Sequence, residues 1–257
     1  MPVAYLGHGA PPLLDDARWM AELFDWMSAL PKPRGVLIVS AHWESAPLSI
    51  SAPAAGTPLV YDFGGFAERF YRMTYATPDA SDLARQVAAL MPGTEPVHEH
   101  SGRGLDHGAW VPLKVMLPLA DVPVLQLSLP TSDPGRLLDL GRRLRPLREQ
   151  GVMIIGSGFL THGLPFLTRA NLTGLAGPPG WSRDFDAWAA EALERGDVDT
   201  LAAFADRAPG MPYAHPTGEH FTPLFVTLGA ANRADGPVTT TVEGFAMGLS
   251  KRSFQVD

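Results

Sequence analysis

Three of the eight histidines in this sequence follow short apolar runs that are rich in Val, Ile or Leu. The pairs are Val3–Leu6 with His8, Val36–Ser40 with His42, and Val152–Gly156 with His162. Such runs predict buried strands, and ligands of an open parallel sheet usually bind beyond the carboxyl ends of its strands. Each histidine alone also fits a surface loop or a hydrogen-bonded core position. Together, three histidines at strand or helix ends can form a metal site that leaves positions open for a substrate.

Two further histidines lie where loops lead into predicted helices. His107 precedes one helical pattern, and because a helix N-terminus disfavours a charged imidazolium, we expect a neutral ring there. His220 begins a second helical pattern directly after Glu219. Adjacent residues on a helix do not face each other, so we expect only one of this pair to point into a site. His215 is a candidate neighbour either of the substrate or of another residue of the site.

The absence of cysteine restricts the chemistry of any metal site. Disulfides, thiolate ligands and a cysteine nucleophile are excluded, so a metal must be held by His, Asp or Glu. Three histidines suit Zn²⁺, whereas two histidines and a carboxylate suit non-haem Fe²⁺, and both sets stay open at this point. A serine hydrolase is disfavoured, because Ser157 lies in Gly156-Ser157-Gly158 and lacks the Gly-x-Ser-x-Gly spacing.

Helical patterns alternate with the predicted strands along the chain. They span Asp16–Ala29, Ala80–Leu90, Gly108–Leu119, Pro134–Arg148, Ser182–Glu194 and His220–Ala230. Val122–Ser128 predicts a further buried strand, and the more alternating run Val238–Val242 predicts an edge or antiparallel strand. This order predicts an α/β fold with a central, mostly parallel sheet flanked by helices. We expect one domain over residues 1–257, because Pro and Gly are spread along the chain and form no linker.

Composition limits the partners and the location. The net charge of −7 gives no reason to expect a nucleic acid or an anionic membrane as partner. No run reaches the roughly 18 apolar residues that a transmembrane helix needs. The N-terminal residues do not have the pattern of a signal peptide, and we expect a cytoplasmic protein. The oligomeric state, including a homo-oligomer, stays open.

Read in order, six segments resemble the class III extradiol ring-cleavage dioxygenases, and within them the DOPA 4,5-dioxygenase-like proteins. The segments are Gly7–Pro11, Ser40–Trp43, Tyr61–Phe66, Gly104–Leu113, Gly156–Gly158 with His162, and Glu219–Leu224. The resemblance runs from residue 8 to about residue 230. The resemblance implies an α/β fold with a mixed sheet. It also implies an enzyme that binds one divalent metal ion and uses O2 to open a catechol-type ring.

The resemblance also implies roles for individual residues. His8, His42 and His220 match the family's metal ligands, and His162 matches its acid/base histidine. His107 matches a histidine that lines the pocket for oxygen and substrate. Substrate contacts are expected from His215, Tyr61 and Trp43. In the protocatechuate-cleaving relatives the third ligand is a glutamate. This chain has His220 at the matching position, with Glu219 beside it. Whether the metal is Zn²⁺ or Fe²⁺, and whether Glu219 binds it, therefore stays open.

Two other functions use the same pocket. Zinc has no redox chemistry, so a zinc protein with this site would be a hydrolase in which metal-bound water is the nucleophile. A small-molecule-binding protein without catalytic activity is the other alternative. Ring cleavage of a catechol after Fe²⁺ loading separates the dioxygenase from both.

Overall fold

Four adjacent parallel strands form the centre of the sheet in the computed structural model, which describes residues 1–257. The sheet has eight strands in the order β4-β3-β5-β2-β6-β1-β10-β7. The strands are β1 Val3–Gly7, β2 Gly35–Glu44, β3 Ser49–Ser51, β4 His98–His100, β5 Val124–Leu129, β6 Val152–Gly158, β7 Val238–Val242 and β10 Ser253–Val256. A separate pair consists of β8 Phe245–Ala246 and β9 Leu249–Ser250.

Nine helices surround or extend this sheet. They are α1 Ala17–Ser28, α2 Ser81–Leu90, α3 His107–Met116, α4 Pro134–Leu144, α5 Arg169–Leu172, α6 Gly180–Glu194, α7 Val198–Ala202, α8 Phe204–Arg207 and α9 Pro223–Ala230. Short 3-10 helices lie at Pro11–Asp15, Glu68–Arg72, Arg145–Gln150 and Leu164–Phe166. No helix is both long and apolar enough to cross a bilayer.

The central strands are buried on both faces, which explains their continuous apolar sequence. Side chains of β2 alternate between two cores: Leu37 and Val39 contribute to one, whereas Val36 and Ile38 contribute to the other. Residues of α4, α6 and α9 complete the first core, and residues of α1 and α3 complete the second. The predicted α/β fold is therefore confirmed as a single domain with helices on both sheet faces.

The pairing register brings the ends of three neighbouring strands to one edge of the sheet. Ser40 of β2 and Leu6 of β1 both pair with Ser157 of β6. Directly beyond β1, the backbone N–H of His8 donates to Gly158 O at 3.0 Å. The parallel core thus places the segments that carry His8, His42 and His162 side by side.

The outer strands make the sheet mixed. β1 pairs with β10 and β10 pairs with β7, both antiparallel, and β7 lies at the edge. The expectation of an edge or antiparallel strand at Val238–Val242 is therefore confirmed.

Several predicted boundaries were wrong. The helix predicted to reach Arg148 ends as an α-helix at Leu144 and continues as the 3-10 helix Arg145–Gln150, and β5 begins at Val124, after the predicted Val122. β2 continues through His42 to Glu44 across an irregularity in its pairing with β5. α3 ends at Met116, before the predicted Leu119. α6 begins at Gly180, before the predicted Ser182, which lies inside the helix with its hydroxyl bonded to Thr161. α9 begins at Pro223, since Pro suits the first turn, and His220 lies in the preceding turn.

Candidate active site

Three histidine nitrogens converge at the edge of the sheet. Nε2 of His42 lies 3.1 Å from Nε2 of His8 and 3.3 Å from Nε2 of His220. The ligand atoms of all three lie within 4.8 Å of one another. His8 and His220 are almost fully buried, and His42 is partly exposed. These three residues, predicted from distant parts of the sequence, are brought together.

The opposite nitrogen of each ring faces an oxygen atom. Nδ1 of His8 lies 3.0 Å from Ser157 Oγ, and Nδ1 of His220 lies 2.8 Å from Glu219 Oε1. Nδ1 of His42 faces Asp62 Oδ2 at 3.4 Å. For His8 and His220, a proton on Nδ1 makes a hydrogen bond to the oxygen, and for His42 the nearby carboxylate favours a proton on Nδ1 electrostatically. In each case the Nε2 lone pair is left free. The surrounding groups therefore favour the tautomer that a metal ligand needs.

Ser157 makes a hydrogen bond to a backbone carbonyl in α3 that has no partner within the helix. Pro112 lies inside α3 and has no N–H to donate to the carbonyl of Gly108, four residues earlier. Ser157 Oγ donates to this carbonyl at 2.5 Å. Since the hydroxyl proton is used in that bond, Ser157 accepts from Nδ1 of His8.

The turn that carries His220 lies directly against the end of β6. The carbonyl of His220 accepts hydrogen bonds from Phe159 N at 2.9 Å and from the Tyr5 hydroxyl at 2.9 Å. A side chain at Gly158 would place its Cβ only 2.0 Å from that carbonyl oxygen. Glycine is therefore required at residue 158 for this close approach.

Glu219 contacts the Nδ1 atom of His220, the ring nitrogen opposite the one that faces the other two histidines. The rule against contact between helical neighbours does not apply, because both residues lie in the turn before α9. As expected, one residue of the pair, His220, points to the cluster, and Glu219 orients its ring. Glu219 is not part of the three-histidine cluster, but with His162 and His220 it forms a second group whose possible ligand atoms lie within 4.8 Å of one another.

His107 begins α3 as predicted and is oriented by Asp62. Asp62 Oδ1 accepts from the backbone N–H of His107 at 3.1 Å and from its Nδ1 at 2.8 Å. Burial raises the pKa of Asp62, but the hydrogen bonds and charge interactions with His107 and His42 outweigh burial and lower it overall. The His107 ring lies 3.9 Å from the His42 ring, centroid to centroid. Asp62 thus contacts both histidines as a carboxylate.

His162 stacks on His220 with ring centroids 3.4 Å apart and planes inclined by 13°. Its backbone N–H donates to Ala214 O at 2.8 Å, which fixes the loop after β6. Burial lowers the pKa of His162 to about 4, although the Glu219 carboxylate opposes the shift. The ring lines the cavity described below and makes no hydrogen bond to another protein group.

The three converging histidines are also neutral at physiological pH. Burial is the main cause that lowers the pKa of His42 to about 3, and repulsion by His107 adds to it. Burial, followed by repulsion between the histidines, lowers the pKa values of His8 and His220 well below the ordinary value. Neutral imidazoles offer lone pairs, which is the form that binds a metal.

A cavity of about 340 Å³ opens over the histidines, within the range of about 300–1,000 Å³ typical of ligand sites. His8, His42, His107 and His162 lie at its polar end together with Asp62. Its other walls are mainly apolar and include Phe63, Phe66, Phe159, Leu164, Met247 and Leu249. The volume and this lining suit a small, largely apolar molecule with polar groups at one end.

Tyr61 and Trp43 do not line this cavity. The Tyr61 hydroxyl donates to Met73 O at 2.6 Å, and its ring packs on Trp110. Trp43 lies under the Arg103 guanidinium, whose Cζ is 4.4 Å from the ring centroid. Their side chains are engaged elsewhere, so the structure brings neither into the cavity.

His215 is likewise buried away from the cavity, against Phe185 and Phe221. Its Nε2 donates to Leu160 O at 2.9 Å. Because Ala214 also accepts from the backbone of His162, residues 214 and 215 together hold the loop that carries His162. This location supports the neighbouring loop and provides no contact with the cavity.

Two oxygen atoms that accept hydrogen bonds from the histidines were not predicted from the sequence. Asp62 lies in a segment that carries the family resemblance but had no predicted role, and Ser157 had been weighed only as a nucleophile. A carboxylate within the aromatic segment Tyr61–Phe66 and a serine between glycines at a strand end were the available signals. Neither signal reveals which histidine the oxygen contacts.

The geometry fits a metal ion. Nitrogens bound tetrahedrally at 2.0–2.1 Å from one ion lie about 3.3 Å apart. The separations of 3.1 and 3.3 Å between Nε2 atoms match that spacing. Three neutral imidazoles, each with an oxygen behind it, are a donor set that could hold one divalent ion.

Comparisons with known proteins identify the family. The family described as the catalytic LigB subunit of aromatic ring-opening dioxygenase matches residues 14–247. The chain is 37% identical to a 4,5-DOPA dioxygenase extradiol of Beta vulgaris over 242 residues, which cover 88% of this chain and 85% of that protein. It is 33% identical to a protein of the same name from Escherichia coli strain K12, with 100% and 94% covered.

A solved structure agrees with these matches. The crystal structure of an uncharacterized protein from Escherichia coli K12 superposes with a TM-score of 0.83 at 31% identity, and the match covers all of both chains. The chain belongs to the LigB family of class III extradiol dioxygenases, and it is an enzyme of the aromatic ring-opening class.

Proposed function

We propose that this enzyme, over the whole catalytic domain of residues 1–257, cleaves the ring of a DOPA-like catechol beside its two hydroxyls. Both atoms of O2 enter the product, a ring-opened semialdehyde. The substrate supplies all the electrons that reduce O2, so no external reductant is needed. The observation that carries this proposal is the convergence of three Nε2 atoms at the polar end of an apolar cavity.

His8, His42 and His220 are the proposed ligands of one divalent ion. When bound, such an ion lowers the pKa of the catechol, orients both reactants and stabilises developing charge. The three-histidine set accepts Zn²⁺ or Fe²⁺, but zinc has no redox chemistry, so we propose Fe²⁺ as the working metal. Ser157, Asp62 and Glu219 orient the three rings through their Nδ1 atoms.

His162 is the proposed acid/base residue. Its ring faces the cavity without a protein partner, and in its neutral form it can accept a proton from a catechol hydroxyl. The same nitrogen can return that proton as the ring opens, since one imidazole can serve in both steps. His107, oriented by Asp62, is placed to contact the oxygen atoms of the reactants.

The apolar walls complete the site. Phe63, Phe159 and Leu249 can pack against the faces and edges of an aromatic ring and exclude water from it. A catechol that enters with its hydroxyls towards the histidines would present both oxygens to the polar end. The cytoplasmic location predicted from the sequence remains a prediction.

Metal-dependent turnover of a catechol tests this function. The chelator-treated protein is loaded anaerobically with Fe²⁺ or, in parallel, with Zn²⁺ and is then mixed with catechol and air-saturated buffer. We expect oxygen consumption and a yellow product with Fe²⁺ only. Cleavage of an ester or amide by the zinc form, with no ring cleavage by the iron form, would contradict the proposal.

A further inference from the structure

The walls of the cavity contain no lysine or arginine that could pair with a carboxylate on the ring substituent of a substrate. Fifteen residues line the cavity, and none of them is Lys or Arg. The only carboxylate among them is Asp62, which repels a second anion. A substituent carboxylate that is buried against the apolar walls, away from the proposed metal ligands, would lose its hydration without gaining a Lys or Arg partner.

Four basic residues close in sequence to residues that line the cavity form ion pairs with carboxylates outside the cavity. Arg69 pairs with Asp15, Arg72 with Glu68, Lys251 with Glu22, and Arg252 with Asp186. Arg169 belongs to the same helix as the cavity residue Leu172, but it is exposed and does not line the cavity. None of these five cations lines the cavity.

Apolar side chains continue from the cavity to the surface. Leu164 and Leu172 line the cavity and are each 47% exposed. Seven large apolar residues of the chain are exposed, and four of them lie between residues 164 and 175. These four are Leu164, Phe166, Leu172 and Leu175. A concentration of exposed apolar groups beside a ligand cavity is typical of a binding surface.

We propose that the preferred substrate is a catechol with a neutral, apolar ring substituent, which lies against Phe66, Leu164, Leu172 and Met247. This inference rests on the proposed function for the position of the catechol hydroxyls. It narrows the catechols of the proposed function to those with an uncharged substituent, whereas DOPA, named for the curated relatives, carries both an ammonium and a carboxylate on its side chain. Burial of the substituent, and the lack of a cation, would determine the preference.

A matched pair of catechols tests the preference. 4-Butylcatechol and 3-(3,4-dihydroxyphenyl)propanoate have side chains of equal length, one neutral and one anionic. With the Fe²⁺-loaded enzyme we expect kcat/KM to be at least tenfold higher for 4-butylcatechol than for the propanoate or L-DOPA. From methyl to butyl, each methylene that becomes buried should raise kcat/KM about fourfold. Equal or higher values for the two carboxylates would overturn the inference.

Substitutions at the cavity mouth provide a second test. Leu172→Arg places a cation beside the substituent and should raise kcat/KM for the propanoate while lowering it for 4-butylcatechol. Phe24→Arg is the matched control, because Phe24 is also 47% exposed but does not line the cavity. Arg169→Gln should leave the preference unchanged. If Arg169→Gln selectively weakens turnover of carboxylates, Arg169 recognises them and the inference is wrong.

Binding without turnover separates this inference from the proposed function. The Zn²⁺-loaded protein can be titrated calorimetrically with both compounds, and 4-butylcatechol should bind at least tenfold more tightly. If it does so but the iron form cleaves no ring, the proposed function fails and the preference stands. If rings are cleaved but the propanoate binds as tightly, the preference fails and the proposed function stands.

Discussion

Nδ1 of His8 lies 3.0 Å from Oγ of Ser157, whose own proton is donated to Gly108 O. Ser157 is therefore an acceptor only, and it favours the His8 tautomer with a free Nε2. The proline that frees this carbonyl, Pro112, lies in α3, and the hydroxyl that uses it lies in β6. The hydrogen bond that Pro112 cannot make in α3 thus leaves Gly108 O available to Ser157, which in turn orients the proposed ligand His8.

Removal of this hydroxyl should weaken metal binding. We expect Ser157→Ala to lower metal affinity about 10–100-fold, as is typical when a partner of a ligand is lost. Competition with a chelating dye measures the affinity. Ser128→Ala is the control, since Ser128 is equally buried but bonds to Ser49 and Ser45. Equal affinities of the two variants would contradict a role for Ser157.

The Asp62 carboxylate should matter to both histidines that it contacts. Asp62→Asn keeps one acceptor for His107 but can place an amide N–H2 opposite Nδ1 of His42. His42 would then carry its proton on Nε2, so we expect weaker metal binding and a kcat about 10–100-fold lower. Asp121→Asn, at an exposed ion pair with Lys32, is the control. Wild-type affinity and kcat in Asp62→Asn would exclude this positioning role.

Buried neutral histidines should make the metal-free protein sensitive to acid. Burial lowers the pKa of His215 to about 4, against 6.5 for an unperturbed histidine. Below pH 6.5 the unfolded chain gains a proton that the folded chain does not, so stability falls as the pH falls towards 4. This residue alone should cost about 1 kcal/mol per pH unit in that window.

Urea unfolding of the chelator-treated protein at several pH values between 7 and 5 measures this effect. The free energy of unfolding of His215→Gln should fall less steeply with decreasing pH than that of the wild type. His42 and His162, with pKa values lowered to about 3 and about 4, still contribute in the variant. Parallel curves for the two proteins would show that His215 does not titrate as described.

The positions of His8 and His42 could be predicted because parallel strands bring their carboxyl ends to one edge. The apolar runs before these residues are distinct, and the register between β1, β6 and β2 follows from continuous pairing. The sheet order and the antiparallel outer strands could not be predicted in full, since they depend on contacts between distant segments. The proposed roles of the histidines came from the family resemblance.

The oxygen atoms behind the histidines were harder to predict. Asp62 and His107 are 45 residues apart, and only the folded loop brings them within 2.8 Å. His215 is buried by Phe185 and Phe221 from two other segments, which the local sequence does not indicate. The sequence pattern predicted a helix from His220, but α9 begins only at Pro223. Glu219 and His220 therefore lie in a turn, where adjacent side chains can contact each other.

The roles of His162 and of the proposed ligands should separate in metal analysis. We expect His42→Ala and His220→Ala to lose the metal, because each removes one of three converging Nε2 atoms. His162→Ala should retain it and lose at least 100-fold in kcat, as a general acid/base contributes about 10²–10⁴-fold. His98→Ala, on the exposed strand β4, is the control. Loss of metal from His162→Ala would make His162 a ligand.

Labelling with ¹⁸O2 tests most directly whether the enzyme is a ring-cleaving dioxygenase. The Fe²⁺-loaded enzyme is given a catechol under ¹⁸O2 in unlabelled water, and the trapped product is analysed by mass spectrometry. Ring cleavage by a dioxygenase predicts one ring-opened product that contains both labelled atoms. The aldehyde oxygen of the product exchanges with water, so the label is read in the new carboxylate. A ring-opened product whose carboxylate carries no label would contradict dioxygenase chemistry at these histidines.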